Sequence, residues 1–113
     1  SAVELISDAQ TKINCVDANA AKLLYQNSNN SVIIDVRELN NYEELSLNDS
    51  INISRGLIEM KIGKHCPNPE TLILTHCAGG GRASLAALTI QQMGYSNVHA
   101  ITATFEEIKE IFD

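Results

Sequence analysis

A glycine-rich loop that joins an apolar run to an alanine-rich segment constrains this chain more than any other feature. The stretch "THCAGGGRAS", from Thr75 to Ser84, follows the run "TLILTH" and leads into "RASLAALTIQQM". The apolar run predicts a buried strand, and the later segment has the composition of a helix. Three consecutive glycines allow successive backbone N–H groups to converge, since glycine accepts conformations that other residues avoid. The order of strand, glycine loop and helix therefore predicts an anion-binding site with Cys77 at its rim.

The rest of the chain alternates in the same way between strand-like and helix-like segments. Asp17 is predicted to cap the first helix, Gly94 to end the fourth, and either Thr102 or Thr104 to cap the last. The alternation predicts an α/β fold with a mostly parallel central sheet and helices on both faces. Strands are predicted over residues 13–16, 32–35, 51–53, 71–76 and 97–101, and helices over 18–27, 40–45, 57–62, 82–93 and 104–112.

Length and composition limit the classes of protein to which the chain belongs. With 113 residues, of which 44% are hydrophobic, residues 1–113 are predicted to form a single domain, in which residues 1–12 are a loosely ordered N-terminal extension. A net charge of -6 and the absence of a basic patch disfavour nucleic acid. No apolar run approaches the roughly 18 residues of a membrane span. Three cysteines in irregular spacing favour a reducing compartment, and hence the cytoplasm.

Cys77 is predicted to be a nucleophile. The N-terminal end of the following helix and the charge of Arg82 both favour the thiolate over the thiol. The alternative interpretation is a tight turn in which Cys77 is a small buried core residue. A strand, a cysteine, glycines, an arginine and a helix in succession favour the nucleophile, because a glycine run alone carries little information.

The neighbouring histidine and the other cysteines are predicted to have structural roles. Adjacent strand residues point to opposite faces, so His76 is predicted to be packed rather than to act as a base for Cys77. Cys15 is predicted to be a packing residue, and Cys66 a bystander loop thiol, with resolution of an oxidised Cys77 as its alternative. Ser84 is predicted to cap the first helical turn, with a hydrogen bond near the loop as its alternative. The spacing of histidines and cysteines matches no zinc motif, so no metal site is predicted.

Four segments resemble the rhodanese family of sulfurtransferases: "VIIDVRE", "INISRGLIEMKI", "HCAGGGRAS" and "MGYSNVHAI". The resemblance extends from about Cys15 onward. Four residues separate Cys77 from Arg82, which gives the six-residue loop typical of sulfurtransferases. The loop of the related Cdc25-type phosphatases is one residue longer and fits a phosphoryl group.

The resemblance implies a reaction through a persulfide on Cys77. Thiosulfate or a thiol persulfide would donate the sulfur, and cyanide, a thiol or a protein would accept it, with no metal or organic cofactor. Arg55 would face an anionic donor or lie in solvent, while Asp35 and Arg37 would orient loops behind the site. The residues implied to hold the sulfur are Ala78, Gly79, Gly80, Gly81 and Arg82.

The chain departs from the family pattern in three places. It reads "SLND" (Ser46 to Asp49) where a His-Ile-Pro-Gly-like segment is common, and "ITATFEEI" where a double glycine and a tryptophan are usual. No basic side chain precedes Arg82 within the loop. Two alternatives therefore stay open: a non-catalytic rhodanese-homology module that binds a partner, and a phosphatase or arsenate reductase.

Overall fold

Five short strands form one fully parallel sheet in the computed structural model, which describes residues 1–113. Their order across the sheet is β1-β5-β4-β2-β3, so β4 lies at the centre and β1 and β3 form the edges. The predicted parallel α/β sheet is confirmed. The strands are β1 (Asn14–Val16), β2 (Ser31–Asp35), β3 (Ser50–Asn52), β4 (Leu72–His76) and β5 (Val98–Ile101).

Six α-helices connect and cover the strands. The predicted helix at 57–62 begins as a 3-10 turn over Arg55–Leu57 and continues to His65. None of the helices combines the length and apolar character needed to cross a bilayer. The helices are α1 (Ala2–Lys12), α2 (Ala18–Gln26), α3 (Leu39–Glu44), α4 (Ile58–His65), α5 (Gly81–Gln92) and α6 (Phe105–Phe112).

The sheet buries an apolar layer on each face, as predicted for a parallel sheet covered by helices on both sides. Successive residues of β4 alternate between the layers: Ile73 packs in the layer that includes α4 and α5, and Leu74 packs in the layer that includes α2 and α6. Every residue of β4 is buried. β4 pairs with β5 up to Thr75 and with β2 up to His76, which lies opposite Asp35, so its backbone is fixed on both sides near its carboxyl end.

The N-terminal segment is ordered, so the expectation of a loose extension over residues 1–12 was wrong. Ser1 and Glu4 form a reciprocal capping box that begins α1. Ala9 is fully buried, and Gln91 on α5 donates a hydrogen bond from Nε2 to the carbonyl of Lys12 at 2.9 Å. Helix α1 thus packs along α5 and is part of the folded structure.

The predicted helix ends agree with the observed caps. The Asp17 carboxylate accepts a hydrogen bond from the backbone N–H of Ala20 at 2.8 Å, and Gly94 follows α5 with a φ of 104°. The N-cap of the last helix is Thr104 and not Thr102. The Thr104 hydroxyl accepts from the N–H of Glu107, whose carboxylate in turn accepts from the N–H of Thr104.

Replacing Thr104 by alanine is expected to lower the free energy of unfolding by about 1 kcal/mol, because the first turn of α6 loses its capping acceptor. Urea denaturation measures the change. Thr102→Ala is the control, because the Thr102 hydroxyl makes only a long hydrogen bond, 3.4 Å, to the carbonyl of Val16. An equal loss in the two variants would contradict the assignment of Thr104 as the cap.

Candidate active site

The thiol of Cys77 lies at the carboxyl end of β4, inside the glycine loop. Its Sγ accepts hydrogen bonds from the backbone N–H groups of Gly80, at 3.0 Å, and Ala83, at 3.4 Å. The residue is only 2% exposed. The loop therefore curls around the sulfur and directs peptide dipoles at it. The glycine run predicted Cys77 at the rim of this site, whereas its Sγ lies inside the loop.

Gly80 is the residue that the turn requires. It lies immediately before α5 with a φ of 101°, in the left-handed region that side chains rarely adopt. A Cβ at this position would lie 3.1 Å from the Cα of Thr102, which follows β5. Gly79 has an ordinary φ and open space around the corresponding position. Among the three glycines, the backbone conformation thus depends most strongly on Gly80.

The loop carries further donors that the protein itself does not use. The backbone N–H groups of Ala78, Gly79, Gly81 and Arg82 have no acceptor within the chain. The half-buried Arg82 side chain forms no ion pair and no hydrogen bond. These groups and the N-terminal end of α5 present positive potential next to Sγ, which suits an anionic group attached to the sulfur.

Neighbouring elements hold the loop at three points. The N–H of Phe105, the first residue of α6, donates to the carbonyl of Ala78 at 3.0 Å. The hydroxyl of Thr75 donates to the carbonyl of Ala83 at 2.9 Å. The buried Ser84 donates from Oγ to the carbonyl of Gly80 at 2.7 Å, so its prediction as a helix cap was wrong. A hydroxyl within the first turn can bond back to the carbonyl four residues earlier, and here that carbonyl belongs to the loop.

Asp35 and Arg37 form a buried ion pair at the end of β2, next to β4. Arg37 donates from Nε to both carboxylate oxygens of Asp35, at 3.0 and 3.1 Å, and from Nη2 to Oδ2 at 2.8 Å. Its backbone N–H also donates to Oδ1 at 3.0 Å. Asp35 is fully buried and Arg37 nearly so. Because neither charge is solvated, the buried pair depends on these hydrogen bonds for its stability.

The guanidinium of Arg37 connects that pair to the loop. Its Nη2 also donates to the carbonyl of Leu45 at 2.6 Å, and its central carbon lies 4.1 Å from the centre of the Phe105 ring. The backbone of the same phenylalanine holds Ala78, so the ion pair supports the Cys77 loop through Phe105. The structure thus places Asp35 and Arg37 behind the loop, and neither donates to Sγ.

His76 faces away from Cys77, as strand alternation predicted. Its ring stacks on Phe105 at 6.0 Å, whereas Cys77 packs in the opposite apolar layer. Both ring nitrogens are buried without a hydrogen-bond partner, and Nε2 lies 3.8 Å from Oδ2 of Asp35. Burial lowers the pKa of His76 more than the Asp35 carboxylate raises it. The ring is therefore neutral near pH 7 and is not positioned to take a proton from Cys77.

Arg55 lies outside the hydrogen bonds of the Cys77 loop. Its Nη2 donates to the hydroxyl of Thr89 on α5 at 3.0 Å, and its Nη1 lies 3.4 Å from Oε1 of Glu59. These contacts hold the side chain half-buried against the middle of α5. The structure therefore gives Arg55 a bridging role between the 3-10 turn and α5, and its contact with an anionic donor stays a prediction.

The other two thiols differ from the predictions. Cys15 was predicted to be packed but is exposed, because β1 is an edge strand and its residues are accessible. Cys66 was predicted to be a loop bystander but is buried in the same apolar layer as Cys77, directly after α4. Burial raises the pKa of the Cys66 thiol, which keeps it protonated and unreactive near neutral pH.

The sequence did not predict two contributors to the site. The backbone N–H of Phe105 holds the carbonyl of Ala78. Gln10 on α1 donates to Ser84, the residue that bonds to Gly80. No local pattern marks either role, because each depends on segments that are distant along the chain. The only available signal was the aromatic residue Phe105, directly after the predicted cap Thr104.

Replacing Gly80 by alanine is expected to lower the free energy of unfolding by about 2 kcal/mol, since a side chain in the left-handed region is strained and would press on the Thr102 backbone. The same change should slow alkylation of Cys77, because the N–H of Gly80 moves away from Sγ. Gly79→Ala is the matched control and should change stability by less than about 0.5 kcal/mol. Equal effects in urea denaturation and alkylation would contradict this account.

Stability is expected to fall as the pH drops below about 6.5, in part because of His76. Its pKa is lowered in the folded state, so the unfolded chain binds the proton first and acid favours unfolding. In His76→Phe the loss between pH 7.5 and pH 5.5 should be smaller by about 1 kcal/mol, as measured by urea denaturation at each pH. Burial also lowers the pKa of His99, but its contribution to the pH dependence is the same in the parent protein and in His76→Phe. An unchanged pH dependence would contradict a neutral His76.

Several solved structures share this fold. A protein of Rhodopseudomonas palustris, RPA3614, described as of unknown function and a possible tyrosine phosphatase, is 26% identical, with a TM-score of 0.81 over 97% of this chain and 89% of that chain. A rhodanese with anions from E. coli is 23% identical, with a TM-score of 0.65 over 69% of this chain and 91% of that chain. A thiosulfate sulfurtransferase of Pseudomonas aeruginosa is 20% identical, with a TM-score of 0.75 over 86% of this chain.

The last two likenesses show the fold alone, and this chain spans 19% of the length of the Pseudomonas enzyme. No curated protein matches the sequence. The family model of the rhodanese-like domain matches residues 18–111, which include every strand except β1 and the whole Cys77 loop. The chain therefore belongs to the rhodanese-like domain family.

Proposed function

We propose that this domain is a sulfurtransferase that carries sulfur as a persulfide on Cys77. One observation supports the proposal above all: Sγ accepts two backbone hydrogen bonds inside a six-residue loop that ends at Arg82. The remaining loop N–H groups have no acceptor within the chain, so they are free to bind a second, anionic sulfur.

The first half-reaction transfers sulfur to the protein. The Cys77 thiolate attacks the outer sulfur of thiosulfate, a new S–S bond forms, and the S–S bond of thiosulfate breaks. Sulfite leaves with the bonding electron pair, and Cys77 becomes a persulfide anion. A thiol persulfide can donate in the same way, with its thiolate as the leaving group. Both steps are displacements in which the protein is the covalent intermediate.

The second half-reaction regenerates the thiolate. Cyanide or an acceptor thiolate attacks the terminal sulfur of the persulfide, and the S–S bond to Cys77 breaks. The product is thiocyanate or a new persulfide, and the electron pair returns to Sγ. Charge and atoms balance in each half-reaction, so neither a metal nor an organic cofactor is required.

The loop lowers the energy of the charged sulfur in both half-reactions. The N–H groups of Gly81 and Arg82, at the start of α5, are suited to bind the terminal sulfur, as fixed donors bind a developing oxyanion. Their dipoles are already oriented by the fold, and burial of Cys77 strengthens the electrostatic effect. Because residues 78–81 include no basic side chain, a donor is bound mainly by backbone groups and Arg82. A thiol persulfide therefore fits the loop as well as thiosulfate does.

A segment that departs from the family pattern is held by contacts of its own. Lys109 on α6 donates from Nζ to the carbonyl of Ser46 at 3.0 Å, and the N–H of Asn48 donates to Asp113 at 3.1 Å. Leu47 between them is buried. The unusual "SLND" segment is therefore packed against α6, which makes the departure compatible with an ordered site.

A phosphatase is the second candidate, since the similar RPA3614 protein is described as a possible tyrosine phosphatase. The same nest of N–H groups would bind a phosphoryl group. Against this function stands the short loop: only four residues lie between Cys77 and Arg82, one fewer than the resemblance implies for phosphatases. Sulfur transfer therefore has the stronger support.

Incubation with thiosulfate, or separately with glutathione persulfide, is expected to add one sulfur atom to the protein, and cyanide should remove it. Intact-mass spectrometry measures the gain. Cys77→Ser should abolish it, whereas Cys15→Ser, which removes the exposed thiol, should retain it. A gain that survives in Cys77→Ser would contradict Cys77 as the carrier.

Two other outcomes would favour the alternatives. Turnover of p-nitrophenyl phosphate that is lost in Cys77→Ser, without any gain of sulfur, would favour the phosphatase. A protein that gains no sulfur and hydrolyses no phosphate, although its Cys77 can be alkylated, would favour a non-catalytic module that binds a partner.

A further inference from the structure

We infer that Gln10, on the N-terminal helix α1, is a positioning residue for the Cys77 loop. The inference deepens the proposed sulfurtransferase function and rests on it for its catalytic meaning. Helix α1 helps to set the geometry of the N–H groups around Sγ, through a chain of two side-chain hydrogen bonds that ends at Gly80.

The chain of contacts is continuous. Gln10 donates from Nε2 to Oγ of Ser84 at 3.1 Å, and Ser84 donates from the same Oγ to the carbonyl of Gly80 at 2.7 Å. The N–H of Gly80 donates to Sγ of Cys77 at 3.0 Å. Gly80 is thus held through its carbonyl while its N–H points at the sulfur.

The hydrogen bond between Gln10 and Ser84 matters because Ser84 is buried. Ser84 is fully buried, so its hydroxyl has no water to replace a lost partner. A hydroxyl that accepts one hydrogen bond also donates a stronger one, because the two bonds polarise each other. Removing the Gln10 donor would weaken the hold on the Gly80 carbonyl. Gly80 would then be freer to leave its left-handed conformation, in which its N–H faces Sγ.

A second contact joins α1 to the same part of the loop. A Cβ placed on Gly81 would lie 2.8 Å from Cδ1 of Ile6, so this side chain lies directly against the first residue of α5. Ile6 and Gln10 are four residues apart and therefore lie on one face of α1. This face packs against the start of α5, where the N–H groups of Gly81 and Arg82 have no acceptor within the chain.

The chain offers a matched control for simple attachment of α1. At the other end of the interface, Gln91 on α5 donates from Nε2 to the carbonyl of Lys12 at 2.9 Å. Both glutamines join α1 to α5 through one side-chain hydrogen bond, and both are exposed. Only the Gln10 bond continues to the loop. If Gln10 only attached α1 to α5, replacing either glutamine would have the same effect on Cys77.

The test compares Gln10→Met with Gln91→Met, since methionine keeps the length and helix preference of glutamine and removes the donor. The readout is the pH of half-maximal alkylation of Cys77 by iodoacetamide, followed at the Cys77 peptide by mass spectrometry. Gln10→Met should raise that pH by about half a unit, because the thiolate loses part of its hydrogen bonding. Gln91→Met should leave it within about 0.1 unit of the parent protein. Equal shifts in the two variants, or none in either, would overturn the inference.

A double-mutant cycle with Ser84→Ala tests the route of the effect. If Gln10 acts through Ser84, the Gln10→Met change should produce no further shift when Ser84 is already alanine. A full additional shift in the double variant would overturn the proposed route. Urea denaturation of each variant confirms that it is folded under the alkylation conditions.

Failure of this inference is distinguishable from failure of the proposed function. The alkylation profile requires no sulfur transfer, whereas loading of the parent protein with thiosulfate or with glutathione persulfide tests the persulfide directly. Loading of the parent protein with no effect of Gln10→Met would overturn the role of Gln10 and leave the sulfurtransferase proposal intact. No loading by either donor, together with the Gln10-specific shift, would overturn the proposed function and leave the positioning of the loop established.

Discussion

The buried ion pair between Asp35 and Arg37 is the interaction on which the carboxyl edge of the sheet depends. A buried carboxylate is stable only if its oxygens are bonded, and here Arg37 donates four hydrogen bonds to them from its side chain and backbone. The same guanidinium binds the Leu45 carbonyl and lies against the Phe105 ring. One charged pair thus fixes the relative positions of β2, the end of α3 and the start of α6.

The electrostatics near Cys77 follow from that arrangement. Burial lowers the pKa of His76, and the Asp35 carboxylate, which is paired with Arg37, does not raise it enough to keep the ring protonated. The positive potential at the sulfur therefore comes from peptide dipoles, the start of α5 and Arg82, and not from a protonated His76.

The sequence was informative where structure depends on neighbouring residues. The alternation of strand-like and helix-like segments predicted the parallel sheet, Asp17 was correctly predicted as a helix cap, and the glycine run predicted convergent N–H groups next to Cys77. It failed where contacts join distant segments. The packing of α1 depends on Ala9 and on residues of α5 about 75 to 80 positions further along, as Gln10 and Gln91 show. The exposure of Cys15 follows from the edge position of β1, which only the strand order reveals.

The central position of β4 determines which part of the site can move. Cys77 follows a strand that is paired on both sides and buried along its whole length, so its Cα is held as rigidly as the core. Residues 78–82 lack such pairing, and Ala78 and Gly79 are exposed. The backbone of the loop can therefore rotate locally to fit bound groups of different size, while Cys77 stays in place.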